Sequence, residues 1–248
     1  MINFMMTEKN VTVNFDGKTF IVPVSDNKYE QIKEFLQEGD FDGIKELFNT
    51  EELVRNVYGV NVSIKDGIAE IDGEELPSLL STRLVQFAKE SLPYDYLVAF
   101  WNRLKNNPSY ASVQELFDLL ERNHHPILPD GRFLAWKCVS CDYMDKYSGK
   151  ISNQIGDVVS IHRRLVDDER RNQCSYGLHC GSIEYVRDQY YSSGDIILEV
   201  AIDPADVVSV PTDHNCQKMR VCKYEVMNEV DQNTLRDDNY GLIHDDCE

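Results

Sequence analysis

The sequence predicts an α+β protein, in which a helical N-terminal domain with two β-hairpins precedes a C-terminal domain built on a mixed β-sheet. Residues 11–24 and 60–71 each alternate between apolar and polar side chains around an Asp-Gly turn, which is typical of a β-hairpin. Apolar residues recur at helical spacing between residues 77 and 122. Phe133 to Val139 is a nearly continuous apolar run, which indicates a strand buried on both faces.

The N-terminal domain is predicted to span residues 1–125. Asp26 is a suitable N-cap for a helix with one apolar stripe, made of Tyr29, Ile32, Phe35 and Leu36. Short helices are predicted over residues 41–48 and 51–58, because apolar residues repeat there at helical intervals. Longer helices are predicted at residues 77–90, 94–104 and 109–122, with Ser109 or Ser112 as the cap of the last one.

The C-terminal domain is predicted to span residues 126–230, beyond a linker that contains His124-His125-Pro126. Its predicted elements are strands at 133–139, 157–161, 196–202, 207–210 and 220–226, and a short helix at 182–191. Residues 231–248 are polar and acidic, with little to bury. We therefore expect them to form a loosely held tail.

The composition argues against several classes of function. A formal net charge of -18 over 248 residues argues against a nucleic-acid-binding protein that uses a general basic surface. The sequence contains no run of about 18 apolar residues, so no transmembrane segment is expected. The N-terminus does not have the basic and then apolar pattern of a signal peptide, so the seven cysteines are expected in a reducing cytosol, as free thiols or metal ligands.

The stretch from Val166 to Ser182 is where we expect a functional site. A charged run from Asp167 to Arg171 is followed by Cys174, Gly177, His179 and Cys180. Neither a helical nor a strand periodicity explains this order. Gly177 indicates a backbone position with unusual dihedral angles or a close approach, and reactive side chains stand next to it.

Four segments resemble the rIIB rapid-lysis protein family of tailed bacteriophages. They are Phe133 to Lys137, the stretch from Asp167-Asp168 to Cys174-Ser175-Tyr176-Gly177-Leu178-His179, Asp203 to Pro211, and Lys218 to Val226. The resemblance extends more loosely through Asn107-Pro108-Ser109 and the helix that follows. It covers most of residues 10 to 228.

The resemblance implies an early phage protein that acts in the cytoplasm of the infected host. The family is associated with lysis inhibition and with rescue from a prophage-encoded exclusion system, beside a partner, rIIA, at the inner face of the host membrane. We therefore expect a non-enzymatic accessory protein that binds an rIIA-like phage protein. It is expected to reach the membrane only through a partner, to bind no nucleic acid and to use no cofactor, and its oligomeric state is left open.

Two departures from the family pattern bear on the site. Some members carry an N-terminal helix-turn-helix-like segment that has no counterpart in these 248 residues, so a DNA-linked role is not expected. The family pattern usually reads Gly-Leu-His-x-Cys-Ser, whereas here Cys180 directly follows His179 and Gly181 takes the place of the cysteine. A function that needs cysteine at that spacing is not expected to carry over.

A zinc site and a cysteine nucleophile are two possible reactive sites, and each has a simpler alternative. Cys138 and Cys141 have the spacing of zinc ligands, but a cysteine within a buried strand acts as a small apolar residue. Further zinc ligands would come from Cys174, His179, Cys180, Cys216 and Cys222. Cys174 or Cys180 would form a nucleophile-base pair with His179, but such pairs depend on three-dimensional geometry rather than adjacency. We assign no metal ligand and no catalytic residue.

A nucleotide- or NAD-binding site is the third alternative. The segments Ala135-Trp136-Lys137, Gly177-Leu178-His179 and Tyr224-Glu225-Val226 resemble ADP-ribosyltransferase architecture. In such a fold Glu225 would hold the cofactor ribose, and His179 or Arg132 would contact the cofactor.

The alternative to a reactive or cofactor-binding site is a structural interpretation of the same residues. In it, His179 is a buried histidine that donates to a backbone carbonyl and fixes the turn at Gly177. The pairs Arg163-Arg164 and Arg170-Arg171 would form a solvated ion-pair network around Asp167-Asp168-Glu169. The candidate binding residues are Asp167, Asp168, Cys174, Gly177, His179 and Glu225.

Overall fold

The computed structural model confirms the α+β class, since its described residues contain six α-helices and three β-sheets. The structure describes residues 2–15, 17–26, 28–48, 55–57, 59–65, 67–90, 92–212 and 217–231. Two small sheets lie within the first 75 residues, and a seven-stranded sheet begins at Phe133. None of the described helices is long and apolar enough to cross a membrane.

The N-terminal sheet has the strand order β1 (Asn3–Met6), β2 (Asn10–Phe15), β3 (Lys18–Pro23). The predicted hairpin is confirmed as β2 and β3, and β1 adds a strand that the sequence did not indicate. Helices α1 (Lys28–Glu38) and α2 (Phe41–Phe48) follow. Asp26 Oδ1 accepts a hydrogen bond from the Lys28 N–H at 2.8 Å, as expected of a cap. This unit has its own apolar cluster: Val11, Val13, Phe15, Val22, Tyr29, Ile32 and Ile44.

The second sheet corrects one predicted helix. Its strands are β4 (Arg55–Val57), β5 (Val60–Lys65), β6 (Ile68–Ile71) and β7 (Glu74–Glu75). The helix predicted over residues 51–58 is wrong at residues 55–57, because Val57 pairs with Val60 and is buried in the core. Strand pairing outweighs the weak helical pattern there. Residues 51–54 and 58 lie outside the described residues, and the hairpin formed by β5 and β6 is confirmed.

Three helices follow where they were predicted: α3 (Ser78–Lys89), α4 (Asp95–Leu104) and α5 (Tyr110–Arg122). Ser109 is the N-cap of α5, since its hydroxyl accepts a hydrogen bond from the Ser112 N–H at 3.3 Å. These helices turn apolar side chains such as Leu84, Phe100 and Leu116 into the main core.

The large sheet has the order β12-β13-β10-β8-β11-β14-β9. Its elements are β8 (Phe133–Val139), β9 (Val158–Ser160), β10 (Leu178–Gly181), α6 (Ile183–Gln189), β11 (Ile196–Ile202), β12 (Val207–Ser209), β13 (Lys218–Val221) and β14 (Lys223–Glu229). The sheet is not mixed as predicted, because all six of its strand pairs are antiparallel. The single strand predicted over residues 220–226 is two strands that meet at Cys222.

Cys222 is also where the large sheet curls back on itself. Strands β13 and β14 are second and sixth in the sheet, yet only Cys222 separates them in sequence, and two residues reach at most about 7 Å. The Cys222 N–H donates to the Asp206 carbonyl just before β12, and its carbonyl accepts from Ile161 just after β9, both at 2.9 Å. The two outermost strands therefore come together at this residue, which gives the sheet a barrel-like shape.

One apolar cluster fills the inside of the curled sheet and continues between the helices. It runs from Val57 to Val226, so it contains residues on both sides of the predicted boundary near residue 125. The division into domains 1–125 and 126–230 stays a prediction. Of the predicted tail 231–248, all but Asp231 lies outside the described residues.

His125 is packed onto the large sheet and does not behave as an exposed linker. It is buried, its Nδ1 donates to the Leu134 carbonyl at 2.8 Å, and its ring lies against Trp136 at a centroid distance of 5.4 Å. Burial is the main cause that lowers the pKa of His125 to about 4. The histidine is therefore neutral at pH 7 and forms part of the core.

Candidate functional site

The loop of residues 166–177 leaves a one-turn 3-10 helix, Arg163–Leu165, and enters β10. Its ends meet, because the Asp167 N–H donates to the Tyr176 carbonyl at 2.9 Å. Most side chains between Asp168 and Tyr176 are exposed, whereas Val166 and Leu178 on either side are buried. The loop is therefore closed at its base and presents its side chains to solvent. We call it the motif loop.

Arg220 holds the motif loop from below. It lies on β13, where it pairs with His179 of β10, and it is fully buried. Its guanidinium donates to three main-chain carbonyls of the loop: Asp167 at 2.8 Å, Glu169 at 2.6 Å and Asn172 at 2.7 Å. A fourth hydrogen bond, 3.1 Å long, reaches the hydroxyl of Ser209. Charged donors make the stronger hydrogen bonds in proteins, so this clamp fixes the path of the loop backbone.

Lys218 adds a second contact of the same kind. It stands two residues before Arg220 and therefore points to the same, outer face of the sheet. It is buried, and its Nζ donates to the Gln173 carbonyl at 2.6 Å. The loop backbone thus rests on two buried cations.

Asp167 organises the first half of the loop from within. Its carboxylate accepts hydrogen bonds from the Glu169 N–H at 2.9 Å and from the Asn172 amide at 2.7 Å. A hydrogen bond from Ser175 is the largest cause that lowers the pKa of Asp167 to about 2, followed by these two contacts. Asp168 is exposed, so the two predicted acidic residues have different roles.

Gly177 makes the close approach that the sequence indicated. Its φ is +147°, and a Cβ atom there would lie 2.8 Å from Cγ1 of Val166 and 3.5 Å from the Cβ of Arg220. A larger residue would therefore have to displace the side chain of Val166 at the start of the loop.

His179 follows on β10 with its side chain partly buried. Burial is the main cause that lowers its pKa to about 4, and the charges of Lys137, Arg220 and Lys218 lower it further. A hydrogen bond with the backbone of Gly177 works in the opposite direction. His179 is therefore a neutral side chain at the turn of Gly177, as the structural interpretation expected.

The arginines near the loop do not form the predicted ion-pair network around Asp167-Asp168-Glu169. Arg163 donates to the carbonyls of Ala205 and Val207, at 2.7 and 2.9 Å. Arg170 forms an ion pair with Glu115 of α5. Arg163 binds the 3-10 helix before the loop to a neighbouring segment, and Arg170 binds the loop itself to α5. The buried Arg220 takes the role predicted for the network.

Glu225 lies apart from the motif loop. It stands on β14, with β8 and β11 between that strand and β10. Three strand spacings therefore separate Glu225 from His179 across the sheet, and the register adds an offset of four residues along the strands, since Glu225 is level with Leu134 and His179 with Cys138. The structure thus places four of the six candidate residues on the motif loop and His179 on the strand that directly follows it, and leaves Glu225 elsewhere.

Glu225 belongs to a chain of ion pairs that we call the charge ladder, in which Arg103 and Arg132 alternate with Asp203, Asp130 and Glu225. Arg132 contacts Glu225 at 2.6 Å and Asp130 at 2.7 Å. Arg103 contacts Asp203 at 2.5 Å and Asp130 at 3.7 Å. These residues line an open depression of about 310 Å³.

The turn that carries Asp130 and Arg132 packs closely against the backbone of α4. Gly131 between them has a φ of +83°, and a Cβ atom there would lie 2.3 Å from the backbone carbon of Ala99. Burial alone would raise the pKa of Asp130, but hydrogen bonds from Arg132 outweigh it and lower that pKa. The ladder is thus positioned by a tight backbone contact and held together by partly exposed charges.

Comparison with known proteins supports the family resemblance that the motifs in the loop and strands indicated. The sequence model of the family described as Bacteriophage T4 protein rIIB matches residues 2–237. Protein rIIB of Enterobacteria phage T4 is 32% identical over 225 residues, which are 90% of this chain and 72% of that relative. The chain belongs to the rIIB family. No solved structure matches it.

The cysteines of this rIIB-family protein differ in their position relative to His179. Neighbouring strand residues point to opposite faces, so Cys180 faces the core while His179 faces outward. Burial raises the pKa of the Cys180 thiol to about 12. Cys174 is exposed on the motif loop. Cys180 is therefore a core residue, and Cys174 is part of the loop surface.

The zinc alternative also finds little support in this family member. Cys138 is buried in β8, and burial is the main cause that raises its pKa to about 11, whereas Cys141 is exposed. Across the described residues, no group of three or more His, Cys, Asp or Glu side chains is arranged to hold a metal ion. Cys216 lies outside the described residues.

The residues that sequence reasoning missed are Lys218 and Arg220. Both were included in the resemblance to the rIIB family, but neither was named as a site residue. The available signal was the alternation Lys218-Met219-Arg220-Val221, which puts two cations on one face of a strand. A buried strand with charges on one face must supply them with partners, and here the partners are the loop carbonyls.

Proposed function

We propose that the protein is a phage accessory protein that modulates lysis of the infected host cell, through lysis inhibition and relief from prophage exclusion, and that it works by binding a protein partner rather than by catalysis. Membership of the rIIB family supports the phage setting. The observation that carries the binding mechanism is the clamp of Arg220 on the main chain of the motif loop. It leaves the side chains of the loop available to a partner.

A fixed backbone with exposed side chains favours recognition, because a loop that is already ordered loses less conformational entropy on binding. Tyr176 is 79% exposed at the end of the loop, with Asp168 and Cys174 exposed on the same segment. Tyrosine is among the residue types that contribute most to protein interfaces. The proposed contact surface is therefore centred on Tyr176.

The proposed partner is an rIIA-like phage protein in the host cytoplasm. In this proposal the protein contacts the inner face of the host membrane only through that partner. Its formal charge of -18 is consistent with this indirect route, because anionic lipid head groups repel an acidic protein.

The test is co-purification of the tagged protein with the rIIA-like protein of the same phage. Tyr176→Ala is expected to lower recovery of that partner at least about tenfold, the scale of an interface hot spot. Tyr147→Ala is the matched control, because Tyr147 is 96% exposed on a different loop. Equal recovery with both variants would contradict a partner surface on the motif loop, and no recovery with the unaltered chain would contradict the partner.

A second candidate function is nucleotide or NAD binding at the charge ladder. The observation in its favour is the depression of about 310 Å³ beside Glu225, with Arg132 at its edge, because these were the residues expected to contact a cofactor. This candidate ranks second because Glu225 and Arg132 are bonded to each other and His179 lies three strands away. Calorimetric titration with NAD distinguishes the two. A binding signal that disappears in Glu225→Gln would favour the enzyme-like alternative, and no heat would count against it.

A further inference from the structure

The two edges of the N-terminal sheet differ in how well they are protected against pairing with another strand. On β3, hydrogen bonding of Val24 to Lys9 fixes the register, so that Thr19, Ile21 and Pro23 direct their backbone groups away from β2. Pro23 has no N–H to donate, which makes this edge a poor template for another strand. The edge at β1 contains no proline and no charged residue. Natural sheets commonly protect exposed edges with such residues.

The register of β1 defines which of its groups are directed outward. Thr7 donates to the Asn10 carbonyl at 2.8 Å, and the pairing continues as Met5 with Thr12. In an antiparallel ladder the hydrogen-bonded positions alternate, so the N–H and C=O groups of Phe4 and Met6 point away from β2. An added strand would therefore bond to these two residues.

Among the described residues, the side chains of Phe4 and Met6 are also left without a neighbour beyond β1, because they are only partly covered. They share the face of Val13 and Val11, which carry the buried core of this sheet, yet Phe4 is 51% exposed and Met6 is 42% exposed. All four residues of β1 are exposed. The apolar face of the sheet thus continues past the part that is covered.

We propose that β1 pairs with β1 of a second copy of this chain, in an antiparallel arrangement centred on Met5. Phe4 of one copy then faces Met6 of the other, and the two residues with outward-directed backbone groups form hydrogen-bonded pairs. Each half-exposed phenylalanine is covered by a methionine, a pairing that sulfur and aromatic rings favour. The two sheets become one continuous sheet of six strands.

The self-complementary register is the reason to assign this edge to a second copy, because a two-fold axis through Met5 exchanges Phe4 and Met6, the two residues with outward-directed backbone groups. With a net charge of -18, two copies repel each other over most surfaces. The strand Asn3-Phe4-Met5-Met6 is uncharged, and every cross-strand neighbour in the proposed register is neutral. A four-residue strand pair is small, so the dimer is weak, with a Kd on the order of 10 to 100 µM.

The test is sedimentation velocity of the full-length chain from roughly 1 to 200 µM. The expected result is a monomer-dimer equilibrium for the unaltered protein and at least a tenfold higher Kd for Phe4→Lys, because the lysine would lie opposite Met6 of the other copy and lose part of its hydration in the strand pair. Ile21→Lys is the matched control, since Ile21 is 66% exposed on the opposite face of the sheet and is expected to leave the Kd unchanged. A chain that begins at Met6 is expected to remain monomeric.

Three outcomes would overturn the proposal. One is a monomer at every concentration. Another is an equal loss of dimer in Phe4→Lys and Ile21→Lys, which would assign the contact to the outer sheet face. The third is a persistent dimer in the chain that begins at Met6. This inference does not depend on the motif loop, so the result is independent of the co-purification with an rIIA-like protein.

Discussion

The motif loop packs against the large sheet at β13, and the charge ladder reaches the same sheet at Glu225 of β14, but different forces hold them. The loop is held by a fully buried arginine that donates to neutral main-chain carbonyls. The ladder is held by ion pairs between side chains that are about one quarter to one half exposed, such as Arg132 at 26% and Asp130 at 44%. A buried charge is costly to leave without partners, whereas exposed ion pairs contribute little. The loop should therefore be rigid and insensitive to salt, and the ladder adjustable and sensitive to it.

Arg220→Met is expected to have the largest effect, a loss of about 3–5 kcal/mol in the free energy of unfolding, because buried loop carbonyls lose their donors. Urea denaturation measures the loss, and hydrogen exchange should show faster exchange in residues 166–177. Arg122→Met is the control, since Arg122 is exposed and pairs only along its own helix with Asp118. A loss for Arg220→Met no larger than for Arg122→Met would contradict the clamp.

Gly131 of the ladder and Gly177 of the loop differ in what an added side chain would meet. Gly131→Ala is expected to cost about 3 kcal/mol or more, because its Cβ atom would meet the backbone of α4 at 2.3 Å. Gly177→Ala is expected to cost about 1–2 kcal/mol, because the side chain of Val166 can move. Adding Val166→Ala should restore part of the loss in Gly177→Ala and none in Gly131→Ala. Gly194→Ala, with no atom within 4 Å, is the control for positive φ alone. Equal costs at Gly131 and Gly177 would contradict this ranking.

Acid should loosen the two regions in different pH ranges. The pKa of His179 is lowered to about 4 in the folded state, so its stabilising effect is complete above pH 6.5 and is lost as the pH falls from 6.5 toward 4. The pKa of Asp130 is lowered from 3.8, so its contribution is present above pH 3.8 and is lost below it.

Hydrogen exchange of residues 166–177, corrected for intrinsic rates, is expected to quicken about tenfold between pH 7.5 and 5, before the turn at Asp130 responds. The experiment is best done in His125→Asn, because His125 titrates in the same range. Loop exchange that stays constant down to pH 4.5 would show that neutral His179 does not stabilise the loop.

The smallest effect is expected at the ladder. Arg132→Met should cost less than about 1 kcal/mol, and the difference from the unaltered chain should shrink further in roughly 1 M salt, because exposed ion pairs are screened. The cost of Arg220→Met should change little under the same conditions. Equal salt dependence in both variants would break the distinction between the two regions.

Local patterns predicted most elements, because they depend on residues close together in sequence. The strand Phe133–Val139 and helices α4 and α5 appear where apolar periodicity placed them. The β4 strand was missed, because its stability comes from pairing with Val60 and Val62 rather than from its own three residues. The division at Cys222 was missed although the alternation of charged and apolar residues changes phase there, from Lys218-Met219-Arg220-Val221 to Lys223-Tyr224-Glu225-Val226.

The site was predictable in part. Gly177 and His179 were recognised because glycine and histidine stand out in a sequence, and both lie at the turn they were expected to form. Arg220 was not recognised, because its partners are 48 to 53 residues away and its role depends on the pairing of β10 with β13. Grouping Glu225 with His179 required a sheet order that the sequence cannot specify.

The closure of the sheet at Cys222 also has a consequence for the order of folding. Residues 218–225 include Lys218 and Arg220, which hold the loop, and Glu225 of the ladder, and they follow the motif loop by about 40 residues. During synthesis the motif loop emerges well before the residues that hold it. Contacts between distant parts of a chain form slowly, so we expect the nascent protein to carry an unsupported loop until β13 and β14 dock. Docking of these two strands is then expected to complete both surfaces in one step.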